Sequence, residues 1–322
     1  MFSLSRLARL TPRRLLHSLD EADALRAEVD RLRTHVRQLV AAHETTEKTT
    51  VRLRDALATF DPIPTAEHVA AAVAAARLEE DPFPHLVIDS LLPPESYDRL
   101  VKTIPPALFF EHLARNHQEL MVPSDLAPLV SREVWAAFYS RAVSQALAPA
   151  LVAAFQRPLN ALVHRHWPAY DSMAEAGITL DVLMSRILRR QPGYVIKPHR
   201  DPRWAFLTCL VYLPSRKTTE LFGTELCRVH REREADSHGA LWIKDADVEV
   251  VKTVAGQPNT AVAFVNTTGA HQAAVPSTVD PDTVRHLYQL QLGPPGVTQR
   301  RLLKQMPAAD AARWRRQDKD PQ

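Results

Sequence analysis

Apolar residues in the first part of the chain recur in alternating steps of four and three. The positions concerned are Leu25, Val29, Leu32, Val36 and Leu39. The same register continues through polar positions to Leu53 and Leu57, which weakens the apolar seam. This heptad spacing predicts a helical arm that pairs with a second copy as a dimeric coiled coil. A long single helix that packs on its own chain is the alternative.

Proline residues and helical spacing mark the elements that follow the arm. Pro62 and Pro64 are expected to end it, because proline cannot continue a helix interior. The alanine-rich residues 65–77 then predict a second helix. Residues 131–156 carry apolar positions at helical spacing, which predicts a long helix capped by Ser131.

Short apolar runs replace the helical pattern in the second half of the chain. A first strand is predicted through Val87 and Ile88, and three longer runs at 207–214, 259–266 and 285–292 have the length and composition of buried strands. The chain is therefore expected to combine a β-rich domain with helices and an N-terminal helical arm.

Charge and composition narrow the classes of function. The formal net charge is +3, but residues 1–19 contain four arginines and no acid, and residues 300–322 contain seven Lys or Arg against three Asp. The body between these ends is slightly acidic, so no nucleic-acid partner is expected. The basic amphipathic residues 1–19 suit peripheral contact with an anionic membrane surface.

The expected location is cytoplasmic, with membrane-peripheral contact as an option. The chain has two cysteines, Cys209 and Cys227, both inside predicted strands, so a disulfide framework is not expected. No apolar run reaches the roughly 18 residues that a membrane span needs. Arginines interrupt the start of the chain where a secretory signal would have its apolar region.

A histidine and a carboxylate stand two residues apart before the 207–214 run. Side chains at i and i+2 of a strand share a face, so His199 and Asp201 can enter one cavity. His271 follows the 259–266 run. Two histidines and one carboxylate leave three positions open on an octahedral ion, as in non-haem Fe(II) oxygenases. The same His-x-acid form recurs at 117–119 and 230–232, and the context downstream separates His199 and Asp201 from these, since they stand immediately before an apolar strand-like run.

The open positions have a use if the ligand is a 2-oxo acid. Its carboxylate and keto oxygens occupy two of them, and dioxygen takes the third. If the acid is 2-oxoglutarate, its far carboxylate needs a partner. Arg285 lies fourteen residues after His271 and offers a planar fork suited to bidentate carboxylate recognition.

Residues from about 83 to 292 resemble 2-oxoglutarate- and Fe(II)-dependent dioxygenases of the prolyl-4-hydroxylase type. The matching motifs are Gly193-Tyr194 ahead of His199-Arg200-Asp201, the run from Leu207 to Pro214, Phe222 to Leu226, Asn266 to His271, and Arg285. Pro214 stands where this family usually has asparagine.

The resemblance implies a fold, a site and a reaction. The fold is a double-stranded β-helix of the jelly-roll, cupin-like kind, buttressed by helices. His199, Asp201 and His271 hold Fe(II), and Arg285 and Tyr212 bind the C5 carboxylate of 2-oxoglutarate. The reaction is hydroxylation or a related C–H oxidation that releases succinate and CO2, with ascorbate as an optional reductant. The substrate is a small molecule, a glycan or a protein residue.

These expectations divide the chain into four segments. They are a basic N-terminus and coiled-coil arm at 1–62, a connecting helix at 63–80, the dioxygenase domain at 81–298, and a basic tail at 299–322 that either docks on the body or stays disordered.

Alternatives exist for single residues and for the whole chain. His199 and Asp201 can be a surface pair, Arg285 can pair with Asp280 or Asp282, and Tyr212 can be a core aromatic. The chain as a whole can be a coiled-coil scaffold with a catalytically silent β-helix domain, or a metal-dependent cupin enzyme that does not use 2-oxoglutarate.

Overall fold

The computed structural model describes residues 12–316, except for positions 59, 61, 115, 126, 215–221, 232–240 and 267. Positions 12–24, 62, 63, 241, 315 and 316 are described by their backbone alone. Most of the basic segment 1–19 therefore lies outside the described residues. The chain divides into two units, Met1–Asp55 and Ala56–Gln322.

The first unit contains most of a single long helix. This helix, α1, runs over Pro12–Ala58. The seam residues are exposed in the single chain, with 67% of Leu25, 57% of Leu32 and 57% of Leu39 accessible to solvent. The predicted helical arm is thus present, and its pairing into a coiled coil stays a prediction.

The second unit contains seven further helices among the described residues, besides two short 3-10 turns and one π-helical stretch. They are α2 (Pro62–Ala75), α3 (Pro94–Lys102), α4 (Leu129–Ala137), α5 (Ala148–Ala154), α6 (Gln156–His166), α7 (Gly296–Leu303) and α8 (Ala308–Arg316). No single described helix is long and apolar enough to cross a membrane, although the bent pair Leu129–Ala154 and Gln156–His166 meets that criterion jointly, by length and composition only.

In the part of the chain that the structure describes, twelve strands form two antiparallel sheets. They are β1 (His85–Ile88), β2 (Glu111–Ala114), β3 (His117–Met121), β4 (Asp181–Arg190), β5 (Val195–Arg200), β6 (Leu207–Tyr212), β7 (Thr224–Val229), β8 (Leu241–Trp242), β9 (Val248–Val254), β10 (Ala261–Val265), β11 (Ala270–Ala274) and β12 (Arg285–Gly293). The larger sheet has the order β1-β10-β6-β12-β4-β3-β2, and the smaller one β8-β5-β11-β7-β9.

The connectivity is that of a jelly roll. From β4 to β7, and again from β9 to β12, each strand lies in the sheet opposite to that of the strand before it. This confirms the predicted sheet-rich domain with helices. The hairpin β2–β3 extends the larger sheet beyond β4.

Strands β6 and β10 of the larger sheet are buried on both faces, which explains their continuous apolar runs. Along β12, Tyr288, Leu290 and Leu292 belong to the core shared with the helices. The alternate residues Arg285 and Leu287 line a cavity between the sheets. The period of two that separates these sets follows from the pleat of a strand.

The helix predicted at 131–156 differs from the observed one in its start and its form. The helical run begins at Leu129, directly after Pro128, so Ser131 lies inside it and caps nothing. Its middle, Phe138–Leu147, is π-helical. The second helix starts at Pro62, earlier than predicted, because proline is tolerated in the first turn of a helix.

The C-terminal tail docks on the body as far as it is described. Trp314 on α8 is 3% exposed. Its ring packs against those of Trp204 at 4.5 Å, His166 at 5.1 Å and Trp167 at 5.2 Å between ring centroids. Burial of a large aromatic ring among other rings anchors the tail.

Candidate metal centre and cavity

Three potential metal ligands converge on the inner face of the smaller sheet. His199 on β5 and His271 on β11 are cross-strand partners. Asp201 follows the end of β5. One donor atom from each of the three lies within 4.8 Å of the others. All three are buried, being 4%, 5% and 6% exposed for His199, Asp201 and His271. A surface His–Asp pair is therefore wrong.

Hydrogen bonds orient two of these ligands. Nδ1 of His199 lies 2.8 Å from the carbonyl oxygen of Lys197, which can only accept, so Nδ1 carries the proton and Nε2 keeps its lone pair. The hydroxyl of Thr208 donates to Oδ2 of Asp201. The side chain of Asn266 donates to the backbone oxygen of Asp201 at 2.8 Å, which holds the turn after β5.

Electrostatics keep both imidazoles neutral. Burial, followed by the neighbouring His199, lowers the pKa of His271 to about 3. Burial also lowers the pKa of His199. Neutral imidazole nitrogens are the form that binds a metal. Two such nitrogens and one carboxylate, at these separations, fit a divalent first-row ion such as Fe(II).

The triad opens into a cavity of about 430 Å³ between the two sheets. Its middle is apolar, with Leu188, Leu210, Leu287 and Ile196 among the lining residues. Polar residues line the remainder, including Gln289, Gln291 and the paired side chains of Arg186 and Glu119. The volume is in the range of small-molecule sites.

Arg285 lines one end of this space, and Tyr212 is buried beside it, outside the set of residues that line the cavity. Arg285 is 6% exposed, so surface pairing with Asp280 or Asp282 is wrong. Its Nε donates to the carbonyl oxygen of Phe222, and its carbon Cζ lies 5.7 Å from the ring centroid of Tyr212. The hydroxyl of Tyr212 donates to Oγ1 of Thr224 at 2.8 Å. The predicted hydrogen bond from Tyr212 to a carboxylate stays a prediction.

The distance between this end and the triad can be estimated along β7. Thr224, which contacts both Tyr212 and Arg285, lies two residues before Leu226, the cross-strand partner of His271. Two residues of a strand span about 7 Å. The cavity therefore has a metal-binding position and a cationic end at opposite sides of a short apolar section.

Neither of the competing His-x-acid motifs contributes a described residue to the triad. His117 and Glu119 line the same cavity but are not part of the triad, and Glu119 pairs with Arg186. His230 is exposed and lies 3.4 Å from Glu249. Among the described residues, the triad is the one group of three with metal-binding geometry.

Sequence reasoning missed two residues of the site. Thr208 on β6 reaches Asp201 only in the folded chain, because β5 and β6 belong to different sheets. Arg190, at the end of β4, is 2% exposed and lines the cavity. Its Cζ lies 4.7 Å above the ring centroid of Tyr194. Two consecutive arginines, Arg189 and Arg190, before the turn at residues 191–193 were the available sequence signal for a cationic residue in the cavity. The sequence does not show which of the two points inward.

Comparisons with known proteins found similarities among solved structures only. No family model matches the sequence, and no curated protein matches it. HygX from Streptomyces hygroscopicus, with nickel and 2-oxoglutarate bound, is 14% identical, with a TM-score of 0.38 and coverage of 66% of this chain and 83% of its own. The non-haem alpha-ketoglutarate-dependent carbocyclase SnoK from nogalamycin biosynthesis is 17% identical, with a TM-score of 0.40 and coverage of 71% and 86%. A Pseudomonas putida prolyl-4-hydroxylase is 11% identical, with a TM-score of 0.37 and coverage of 70% and 98%. At these TM-scores, the function of this chain has to be argued from its own residues.

Proposed function

We propose that this chain is a non-haem Fe(II) dioxygenase that uses 2-oxoglutarate to hydroxylate, or otherwise oxidise, a C–H bond, with release of succinate and CO2. The observation that carries the proposal is the buried His199–Asp201–His271 cluster facing a cavity whose other end holds Arg285. The separation of about 7 Å along β7 suits a short dicarboxylic acid with one end at the metal and the other at the arginine.

The triad supplies the metal ligands. His199 and His271 offer neutral nitrogens, and Asp201 offers one carboxylate oxygen while Thr208 holds the other. Fe(II), when bound, supplies dioxygen activation and the oxidising chemistry. Lys197 keeps the proton on Nδ1 of His199, so Nε2 faces the metal position.

The remaining cavity residues bind and orient the reactants. Arg285 binds the distal carboxylate of 2-oxoglutarate, and its contact with Phe222 fixes the guanidinium. Leu188, Leu210 and Leu287 pack against the methylene groups and exclude water from them. Exclusion of water strengthens every charge interaction at the two ends.

The polar part of the cavity suits a polar substrate. Gln289 and Gln291 offer amide donors and acceptors, and the Arg186–Glu119 pair offers both charges. Small molecules, glycans and protein residues are all polar enough to be the substrate. The cavity volume favours a small molecule or a single inserted protein residue.

The test is anaerobic titration of Fe(II)-loaded protein with 2-oxoglutarate. We expect a weak visible charge-transfer band, its loss in His199→Ala and its weakening in Arg285→Ala. If iron-loaded, folded protein shows no band, 2-oxoglutarate is not the cosubstrate. An Arg285→Ala variant with unchanged activity favours a cupin enzyme without 2-oxoglutarate. His199→Ala and His271→Ala variants with unchanged iron content favour a scaffold.

We also propose that the arm pairs two copies of the chain. The exposed leucines of the heptad seam support this, because an unpaired apolar stripe on a helix is unfavourable in water. Leu32→Asp with Leu39→Asp should convert a dimer to a monomer in light scattering coupled to size exclusion. Gln38→Asp, off the seam, is the control. A wild-type monomer at micromolar concentration contradicts the pairing.

A cytoplasmic location with peripheral membrane contact completes the proposal. Cys209 and Cys227 are both free and buried, which is compatible with a reducing compartment. The arginines of residues 1–19 would provide the membrane contact. Co-sedimentation with anionic but not neutral vesicles, lost on removal of residues 1–19, tests this contact.

A further inference from the structure

Two buried arginines stand side by side at the cationic end of the cavity. Arg190 on β4 and Arg285 on β12 are direct cross-strand partners. Directly opposed residues of an antiparallel pair have their Cα atoms about 5 Å apart. Both line the cavity, and they are 2% and 6% exposed.

No carboxylate among the described residues forms an ion pair with either arginine. The nearest acid on the neighbouring strand, Glu119, pairs with Arg186. Burial is the largest influence on Arg190 and lowers its pKa to about 10, so the guanidinium keeps its charge at neutral pH. A buried, charged group without a counter-ion is costly, which indicates that the pair is arranged for an anionic ligand.

Hydrogen bonds to the protein occupy part of each guanidinium group. Arg285 donates from Nε to Phe222 and from Nη2 to the carbonyl oxygen of Gly223 at 3.1 Å, which leaves Nη1. Arg190 donates from Nη1 to the carbonyl oxygen of Gln118 at 2.7 Å, and its buried Nε has no partner in the described part of the chain. A carboxylate has two oxygens with about four acceptor sites, and each arginine alone has donors left for only part of them.

The surroundings hold Arg190 in position. Its guanidinium stacks on the ring of Tyr194 at 4.7 Å. The ring of His117 packs edge-on against Tyr194, with 5.7 Å between centroids. His117 is the cross-strand partner of Arg190 on the other side, so the arginine is enclosed by β3, β12 and Tyr194, the residue before β5. A rotamer locked in this way loses little entropy when a ligand binds.

We infer that Arg190 and Arg285 together bind the distal carboxylate of the cosubstrate, so that the site selects a 2-oxo dicarboxylic acid over a 2-oxo monocarboxylic acid of equal length. This inference rests on the proposed function, since it requires 2-oxoglutarate in the cavity. The alternative ligand for Arg190 is a carboxylate of the substrate that the enzyme oxidises. In that case Arg190→Gln leaves the relative affinity for the two 2-oxo acids unchanged.

The experiment measures two dissociation constants on anaerobic, Fe(II)-loaded full-length protein by isothermal titration calorimetry. The ligands are 2-oxoglutarate and 2-oxopentanoate, which differ only in that a methyl group replaces the distal carboxylate. The proteins are the wild type, Arg190→Gln, Arg190→Lys, Arg285→Gln and the control Arg189→Gln. Arg189 is the control because its side chain points to the face of β4 opposite to that of Arg190. The readout is the dissociation constant for 2-oxopentanoate divided by that for 2-oxoglutarate. This measurement requires no turnover.

Arg190→Gln should weaken 2-oxoglutarate binding roughly ten- to hundredfold, the range for a lost charge-assisted hydrogen bond. It should leave 2-oxopentanoate binding within about twofold, because that acid makes no contact with the arginines. Arg190→Lys should give an intermediate loss, since lysine keeps the charge but not the planar fork. Arg189→Gln should match the wild type.

Three results overturn the inference, and they are distinguishable. If Arg285→Gln lowers the ratio and Arg190→Gln does not, Arg190 is no part of the cosubstrate site, and the proposed function stands. If the wild type binds both acids equally, neither arginine reads the distal carboxylate. If iron-loaded wild type binds neither acid, the proposed function itself fails. Should Arg190→Gln lose its iron or its fold, the ratio measured on Arg190→Lys decides.

Discussion

Replacement of Thr208 by valine tests whether the environment of the triad is built for a metal. Thr208 is fully buried, and its hydroxyl donates to Oδ2 of Asp201. Valine has nearly the same shape, so the change removes the donor without opening a large cavity. Because no solvent reaches this position, water cannot replace the lost hydrogen bond.

The size of the effect follows from the charge on the acceptor. A hydrogen bond to a charged group contributes about 1.5–3 kcal/mol. Loss of a residue that orients a metal ligand typically costs 10- to 100-fold in metal affinity, which agrees with that energy. We therefore expect the dissociation constant for Fe(II) to rise about 10- to 100-fold in Thr208→Val.

The assay is anaerobic competition for Fe(II) between the protein and a coloured chelator. Thr208→Ser restores the hydroxyl and should recover most of the affinity. Thr260→Val is the matched control, since Thr260 is also buried but its hydroxyl faces Asp89, at 3.4 Å. If Thr208→Val binds Fe(II) within about twofold of the wild type, the contact does not orient a metal ligand, and this reasoning is refuted.

Three further predictions concern the stability of the fold. Gly269→Ala should lower the free energy of unfolding by about 1–3 kcal/mol in urea, because the added Cβ would lie 1.8 Å from the ring of Phe83. Gly296→Ala is the control, since its Cβ would make an ordinary contact at 3.6 Å. Equal unfolding midpoints for the two variants would refute the clash. Trp314→Ala should cost about 3–5 kcal/mol if the tail is part of the core, and an unchanged midpoint would show that it is not. Burial lowers the pKa of His166 from 6.5 to about 4, so the unfolded chain takes up a proton at higher pH than the folded chain does. The free energy of unfolding should therefore be highest above pH 6.5 and fall by at most about 3 kcal/mol as the pH drops to 4. His166→Gln should reduce this fall, and an identical pH profile in the variant contradicts it.

Much of the metal site was predictable because its determinants are local. His199 and Asp201 are two residues apart, and the pleat of any strand places such side chains on one face. His271 could be assigned from the apolar run before it and from the family resemblance. The wrong start predicted for the helix at 131–156 also has a local cause. Serine is a residue type that often caps helices, but here the helix begins after Pro128 and Ser131 lies inside it.

The sequence by itself determined which chemical groups were available and which of them shared a strand face. Only the tertiary structure decided which strands pair and in what register. That register sets Arg190 beside Arg285 and His199 beside His271, and the packing of the two sheets brings Thr208 to Asp201. The same holds for Trp314, which docks on Trp204 over a hundred residues earlier in the chain. The physical reason is that pairing across such separations depends on the summed burial of both sheets, and a one-residue slip would reverse every face.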